Sequence, residues 1–167
     1  TQTIAVTVTN QNEAPTITSN GGGDTATINV AENTATVATV TASDLDAGAT
    51  KTYSIVGGAD ASKFTINSTT GALNFISTPN FEAPTDAGAN NVYDVTVRAS
   101  DGTNITSKAV AITVTNVNEA PTITSAATAS FAENGTGTVY TAAATDPDAG
   151  TTLTYSLTGA DASLFNI

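Results

Sequence analysis

The chain of 167 residues contains no cysteine, no histidine, no methionine and no tryptophan. Without cysteine it has no disulfide framework and no thiolate nucleophile, although this absence leaves the compartment open, because an exported domain with a large enough core needs no staple. Without histidine it lacks the commonest general base and, with cysteine also missing, the nitrogen and sulfur ligands that favour zinc or copper. A catalytic role would then rest on an acid pair flanking a cleft. The acids of this chain recur in a pattern better suited to metal, so no enzyme is expected.

Positive charge is almost as scarce. Lys51, Lys63, Arg98 and Lys108 stand scattered against fifteen acids, for a formal charge of −11. No basic stripe is available to neutralise phosphates, so neither nucleic acid nor an anionic membrane surface is an expected partner. No apolar run approaches the roughly 20 residues of a spanning helix. The opening TQTIAVTVTN lacks the charged start and apolar centre of a secretory signal.

What the chain does contain is repetition. TNQNEAPTIT at 9–18 returns as TNVNEAPTIT at 115–124, VAENTAT at 30–36 as FAENGTG at 131–137, and TASDLDAG at 41–48 as AATDPDAG at 143–150. TYSIVGGADASKF at 52–64 returns as TYSLTGADASLF at 154–165, and copy one carries an insert, NGGGD at 20–24. TQTIAVTVTN at 1–10 aligns with SKAVAITVTN at 107–116. Residues 1–10 therefore read as the last strand of an upstream repeat, 11–116 as a complete repeat, and 117–167 as the first half of another, a window on a longer tandem array. Donation of residues 1–9 to a neighbouring molecule would not complete that half, because everything equivalent to 68–106 would still be missing.

Tyr93, Val95, Val97 and Ala99 alternate with Asp94, Thr96 and Arg98, and Val110, Ile112 and Val114 alternate with Ala and Thr. A period of two with β-branched enrichment marks half-buried strands. Further strands are predicted near 26–31, 37–43, 52–56, 64–67 and 73–76, separated by Gly, Asn, Asp and Pro, with no sustained helical period. The expected fold is all-β, a seven-stranded Greek-key β-sandwich repeated in tandem. Val37 and Val40 are three apart, so one must leave the inward face, which a bulge near Ala38 would accommodate.

Most of the acids fall in a few phrases at strand ends: NEAP (Glu13, Glu119), AEN (Glu32, Glu133), D-x-D-x-G (Asp44, Asp46, Asp146, Asp148), NFE (Glu82) and ASDG (Asp101). Strand ends gather at the two poles of a sandwich, and uncompensated carboxylates crowded there repel unless a cation intervenes. A ligand set made only of oxygens selects a hard cation, and calcium, which takes about 6–8 oxygens in flexible geometry, suits it better than magnesium. The phrase does not open a helix-loop-helix calcium loop: Gly48 comes one place early and Ile55 stands where a bidentate Glu belongs.

In this order, AEN, D-x-D-x-G, the Glu of NFE, A-S-D-G and N-x-N-E-A-P resemble the cadherin repeat in its bacterial form, found in large surface and secreted proteins. The resemblance covers the whole chain and implies calcium at each junction. The junction near 116–121 would use Glu32 and Glu82 from the upstream repeat, Asn116, Asn118 and Glu119 from the linker, and Asp146 and Asp148 downstream. The first junction would use Asn10, Asn12, Glu13, Asp44, Asp46 and Asp101. Two positions depart from the family pattern. Asn10 and Asn116 stand where the linker usually begins with Asp, and Asn80 and Phe81 precede Glu82 where an acidic phrase is usual. The first departure implies fewer ions or weaker binding.

Other recurring features have structural readings. Asp60 and Asp161 are expected to cap a short turn, NGGGD to form a flexible loop, and Tyr53 and Tyr155 to lie in cores. The sequons at 67–69, 104–106 and 134–136 are short enough to arise by chance in a chain so rich in Asn and Thr. The resemblance implies an extracellular or cell-surface spacer and adhesion module stiffened by calcium. Its partners would be neighbouring repeats of the same chain and, beyond them, like repeats on other molecules or surface glycans. The alternative is a calcium-dependent carbohydrate-binding module of a secreted polysaccharide-acting protein.

Overall fold

The computed structural model describes all residues, 1–167, and the chain divides into two compact units, Thr1–Asn116 and Val117–Ile167. The first is an all-β sandwich. Its strands are β1 (Thr16–Ile17), β2 (Thr25–Ala31), β3 (Thr36–Thr39), β4 (Ala42–Ser43), β5 (Thr52–Gly57), β6 (Phe64–Ile66), β7 (Ala72–Phe75), β8 (Val92–Ser100) and β9 (Ile105–Thr115). One sheet has the order β2-β9-β8-β5, a second has β3-β7-β6, and β1 pairs with β4. The β2–β9 pairing is parallel, from Thr25 opposite Ala109 to Ala31 opposite Thr115, while β8 runs antiparallel to both β9 and β5.

All seven strands anticipated within the complete repeat, 11–116, form. The expected strand over 37–43 divides into β3 and β4, and the two-residue β1, which no periodicity could announce, is additional. The β3–β7 register shifts between Thr36 and Ala38, the position at which a bulge was expected. Val40 is fully buried, and Val37 is half-buried against the same core rather than turned out. The bulge thus keeps both valines on apolar contacts.

Alternation on β8 and β9 builds the core. Tyr93, Val95, Val97 and Ala99 point inward from β8, and Val110, Ile112 and Val114 from β9, each nearly or wholly excluded from solvent. From the opposite sheet Phe64, Leu73 and Phe75 meet them. The two sheets join through an aromatic cluster, in which the Phe75 and Tyr93 rings lie edge-on at 5.2 Å and Phe64 and Phe75 lie 4.5 Å apart. Tyr53, buried as expected, also accepts the Ala42 N–H on its hydroxyl at 3.2 Å, holding β4 to the core.

Two buried acids in this unit, Asp60 and Asp86, are held by backbone N–H groups. Asp60 is not a helix cap: the short 3-10 helix that follows it, Ala61–Lys63, receives no side-chain hydrogen bond. Its carboxylate accepts instead from Ala87 N at 2.7 Å and Asp94 N at 2.9 Å, joining the start of β8 to the loop before it. In that loop Asp86 accepts from Gly88 N, Asn90 N and Asn91 N. Burial raises the pKa of Asp86, but the N–H groups of Asn90, Asn91 and Gly88 outweigh it and hold the carboxyl below its ordinary value.

Residues 1–10 form no regular strand, and Ile4, Val6 and Val8 are exposed, because nothing lies alongside them to complete a ladder. The second unit contains β10 (Thr122–Ile123) paired with β11 (Ala144–Thr145) and a 3-10 turn, Ala162–Leu164. Asp161 gives that turn no side-chain cap either. Tyr155, expected in a core, is 40% exposed, since this unit has no further strand to cover it.

Two substitutions test these forces. Ile112→Ala, at a site with no exposure, should cost about 2–5 kcal/mol, read as a lower denaturation midpoint with unchanged slope. Asp86→Asn should cost about 1–3 kcal/mol at neutral pH through lost charge-assisted bonds. Because the folded pKa lies below the unfolded value of about 3.9, the stability from Asp86 is fully present above that value and is lost as pH falls through the folded one. The gap between wild type and variant should therefore close only in strong acid.

Candidate metal centre

The first unit carries candidate ligands at both ends of its strands. At the end where β4 stops and β9 starts, Asp46 N–H donates to Asp44 Oδ1 at 2.9 Å, folding the D-x-D-x-G loop back on itself. Glu13 N–H donates to Asp46 Oδ2 at 3.0 Å and Asn10 Nδ2 to Asp46 Oδ1 at 2.5 Å. Asn12 Nδ2 donates to Asp101 Oδ2 at 2.8 Å. Of the six residues expected at the first junction, Asn10, Glu13 (through its backbone N–H) and Asp44 are linked through Asp46, and Asn12 is linked separately to Asp101. Asp44 Oδ2 is buried with no hydrogen-bond partner.

Asp101 is fixed by its own turn. Its Oδ1 accepts from Asn104 N at 2.6 Å and Thr103 N at 2.7 Å, and these bonds lower its pKa. Asn104, absent from the expected set, donates its amide to Asn12 O at 3.0 Å and so ties the 9–13 segment to the start of β9. Its signal in the sequence is faint: an Asn two residues after Asp-Gly is ordinary turn composition.

At the opposite end, Glu32 N–H donates to Thr115 O at 3.0 Å where β2 and β9 finish together. Glu32 is 2% exposed, and its carboxylate accepts from Phe81 N at 2.9 Å. The next residue is Glu82. An oxygen of Glu82 and one of Glu32 lie within 4.8 Å of each other, and both Glu82 oxygens are buried without a hydrogen-bond partner. Asn91 Nδ2 donates to Phe81 O at 2.9 Å, so the Asp86 loop holds this segment in place. Asn116, one residue past β9, is exposed.

The second unit repeats part of this arrangement. Asp148 N–H donates to Asp146 Oδ1 at 2.9 Å, and Glu119 N–H to Asp148 Oδ2 at 2.8 Å. Asn118 Nδ2 donates to Glu119 O at 2.9 Å, as Asn12 does to Glu13 O at 3.4 Å in the first unit. Both units thus fold the same acidic loop against the same linker phrase.

The donor set fits a hard divalent cation. Every candidate atom is oxygen, several are carboxylate, and the two Glu82 oxygens need a positive partner that no N–H supplies. An ionised carboxyl in that position is costly when alone. The aromatic rings of the first unit, Phe64, Phe75, Tyr53, Tyr93 and the half-buried Phe81, belong to the core or lean on it, so they form no exposed platform for a sugar.

The Cadherin domain family profile matches residues 26–118, more than half of the chain. No curated protein sequence gives a significant match. Among solved structures, mouse cadherin-23 EC22-24 aligns with a TM-score of 0.55 at 20% identity, over 84% of this chain and 46% of that one. Human protocadherin-24 EC1-2 aligns at 0.54 and 21% identity, over 84% and 62% respectively. Drosophila N-cadherin EC1-4 aligns at 0.54 and 23%, over 83% and 35%. At these identities the likeness is one of fold, and the chain spans less than two thirds of each of these structures.

Glu82→Gln isolates the unpartnered carboxylate. In chelator the substitution should raise the melting temperature of the first unit, because a neutral amide replaces a buried charge. A lower melting temperature in chelator would show that the carboxylate already has a favourable partner.

Proposed function

The chain belongs to the cadherin domain family, and on that premise we propose that it is a calcium-binding spacer and adhesion segment of a large extracellular bacterial protein. Calcium at the junctions stiffens an array of its repeats. The observation that carries this reading is Glu82, whose two buried oxygens lack any donor while Glu32 stands within 4.8 Å. Two carboxylates so placed repel each other, and a divalent cation turns that repulsion into attraction. Calcium would supply the positive charge and a coordination shell wide enough for carboxylate, amide and carbonyl oxygens.

In this reading Glu32 and Glu82 close one end of the first unit over the ion. The linker residues Asn116, Asn118 and Glu119 add oxygens, and Asp146 and Asp148 receive it on the downstream side. The set Asn10, Asn12, Glu13, Asp44, Asp46 and Asp101 serves the preceding junction in the same way. Ligands drawn from sandwich and linker together convert a hinge into a strut, because the ion binds only where both are in register. Asn10 and Asn116 offer neutral oxygens in place of charged ones, which lowers affinity relative to a linker that opens on Asp.

Small-angle scattering and thermal melting of the whole chain, first with calcium and then with chelator, test the reading. Calcium should narrow the distribution of dimensions and raise the melting temperature by several degrees, and Glu82→Gln should lose most of that increase. Identical dimensions and melting curves in both conditions would reject calcium stiffening.

A further inference from the structure

The loop at 19–23 and Lys108 are left unexplained by the junction chemistry. Lys108 lies on the inward row of β9, in phase with Val110, Ile112 and Val114, and is 1% exposed. A lysine at the end of a core row must satisfy its charge without water. Its Nζ does so by donating to Ser19 O at 2.7 Å, Asn20 O at 3.2 Å and Gly22 O at 2.7 Å. An ammonium has three protons, and three carbonyls receive them.

The loop is shaped for this task. Asn20, Gly21, Gly22 and Gly23 have φ of 53°, 84°, 69° and 67°, an unbroken left-handed run. A Cβ on any of these three glycines would meet nothing within 4 Å, so glycine is required there by backbone conformation and not by space. Repeated left-handed residues curl the chain so that its carbonyls converge on one point. Ser19 is held from the other side by Thr41 N–H, which donates to its Oγ at 3.2 Å, just before β4.

We infer that residues 19–22 form a carbonyl-lined site for a monovalent cation of ammonium or potassium type, and that Lys108 fills it from within the chain. Converging carbonyl dipoles are the ligand set that replaces the hydration shell of such an ion. The NGGGD insert, anchored in this way, is not the flexible loop expected from its composition. Its anchor fixes the crossing from β1, paired with β4, to β2, paired with β9. The crossing carries its own cation, so its order does not depend on ions from solution.

Three measurements made in chelator, and therefore independent of the calcium reading, test the inference. In the folded wild-type chain, amine acylation followed by mass spectrometry should modify Lys108 at least about tenfold more slowly than the partly exposed Lys51 and Lys63. Equal rates would overturn the proposal without any variant having to fold. In Lys108→Met, which keeps the stem and removes the charge, backbone order parameters of Gly21–Gly23 should fall from about 0.85 to below about 0.6. Unchanged values would mean that the charge does not organise the loop. In Lys108→Ala, ammonium or potassium chloride should raise the melting temperature above that in lithium or tetramethylammonium chloride at equal ionic strength, with no such difference in wild type. A variant that responds alike to all four salts would rule out a cation site.

Discussion

Strand β9 is the constraint on which the first unit depends. It is the longest strand, it is bonded on both sides, and its inward row fills the centre of the core. At its start Lys108 gathers the loop that precedes β2, and at its end the Thr115 carbonyl holds Glu32 before the chain passes into the linker. A slip of one residue would turn Val110, Ile112 and Val114 outward. It would also expose the Lys108 ammonium and displace Glu32 from Phe81. Hydrophobic burial along β9 and the placement of charge at both of its ends are therefore one choice of register.

The buried charges divide by what satisfies them. Asp60 and Asp86 accept backbone N–H groups, and Lys108 donates to backbone carbonyls, so each is complete within the fold. Glu82 differs in kind, because neither of its oxygens has a donor. Burial alone does not separate a structural acid from a candidate ligand; Asp60 and Glu32 are almost equally hidden. What marks Glu82 as a candidate ligand is that no backbone N–H reaches either of its oxygens.

Much of this was legible in the sequence, for identifiable reasons. The alternation at 93–99 and 110–114 marked the two strands that build the core, and the three-residue spacing of Val37 and Val40 marked the bulge, because side-chain direction in a strand follows from position alone. The acidic phrases were visible because they recur, and the structure links Glu13, Asp44 and Asp46 in the first unit as it links Glu119, Asp146 and Asp148 in the second. Asp60 recurs just as faithfully, yet its partners, Ala87 N and Asp94 N, lie far along the chain and leave no local trace. Asn104 and the Lys108 cradle were missed for the same reason. Each is a contact between a side chain and a distant backbone, and backbone groups carry no signature in sequence.

The separation between core and charge explains how such a unit can be repeated. Apolar residues fill the middle of the strands, and the candidate ligands lie where strands end and the linker begins, so changes at one pole need not disturb packing. The two units support this directly. They differ in strand content and in the burial of matching aromatics, Tyr53 at 9% exposed and Tyr155 at 40%. Even so, both hold the same Asp–Asp–Glu backbone network at nearly the same distances. A pole drawn together by the same short phrases in both units can recur along a chain, which is the property a modular array requires.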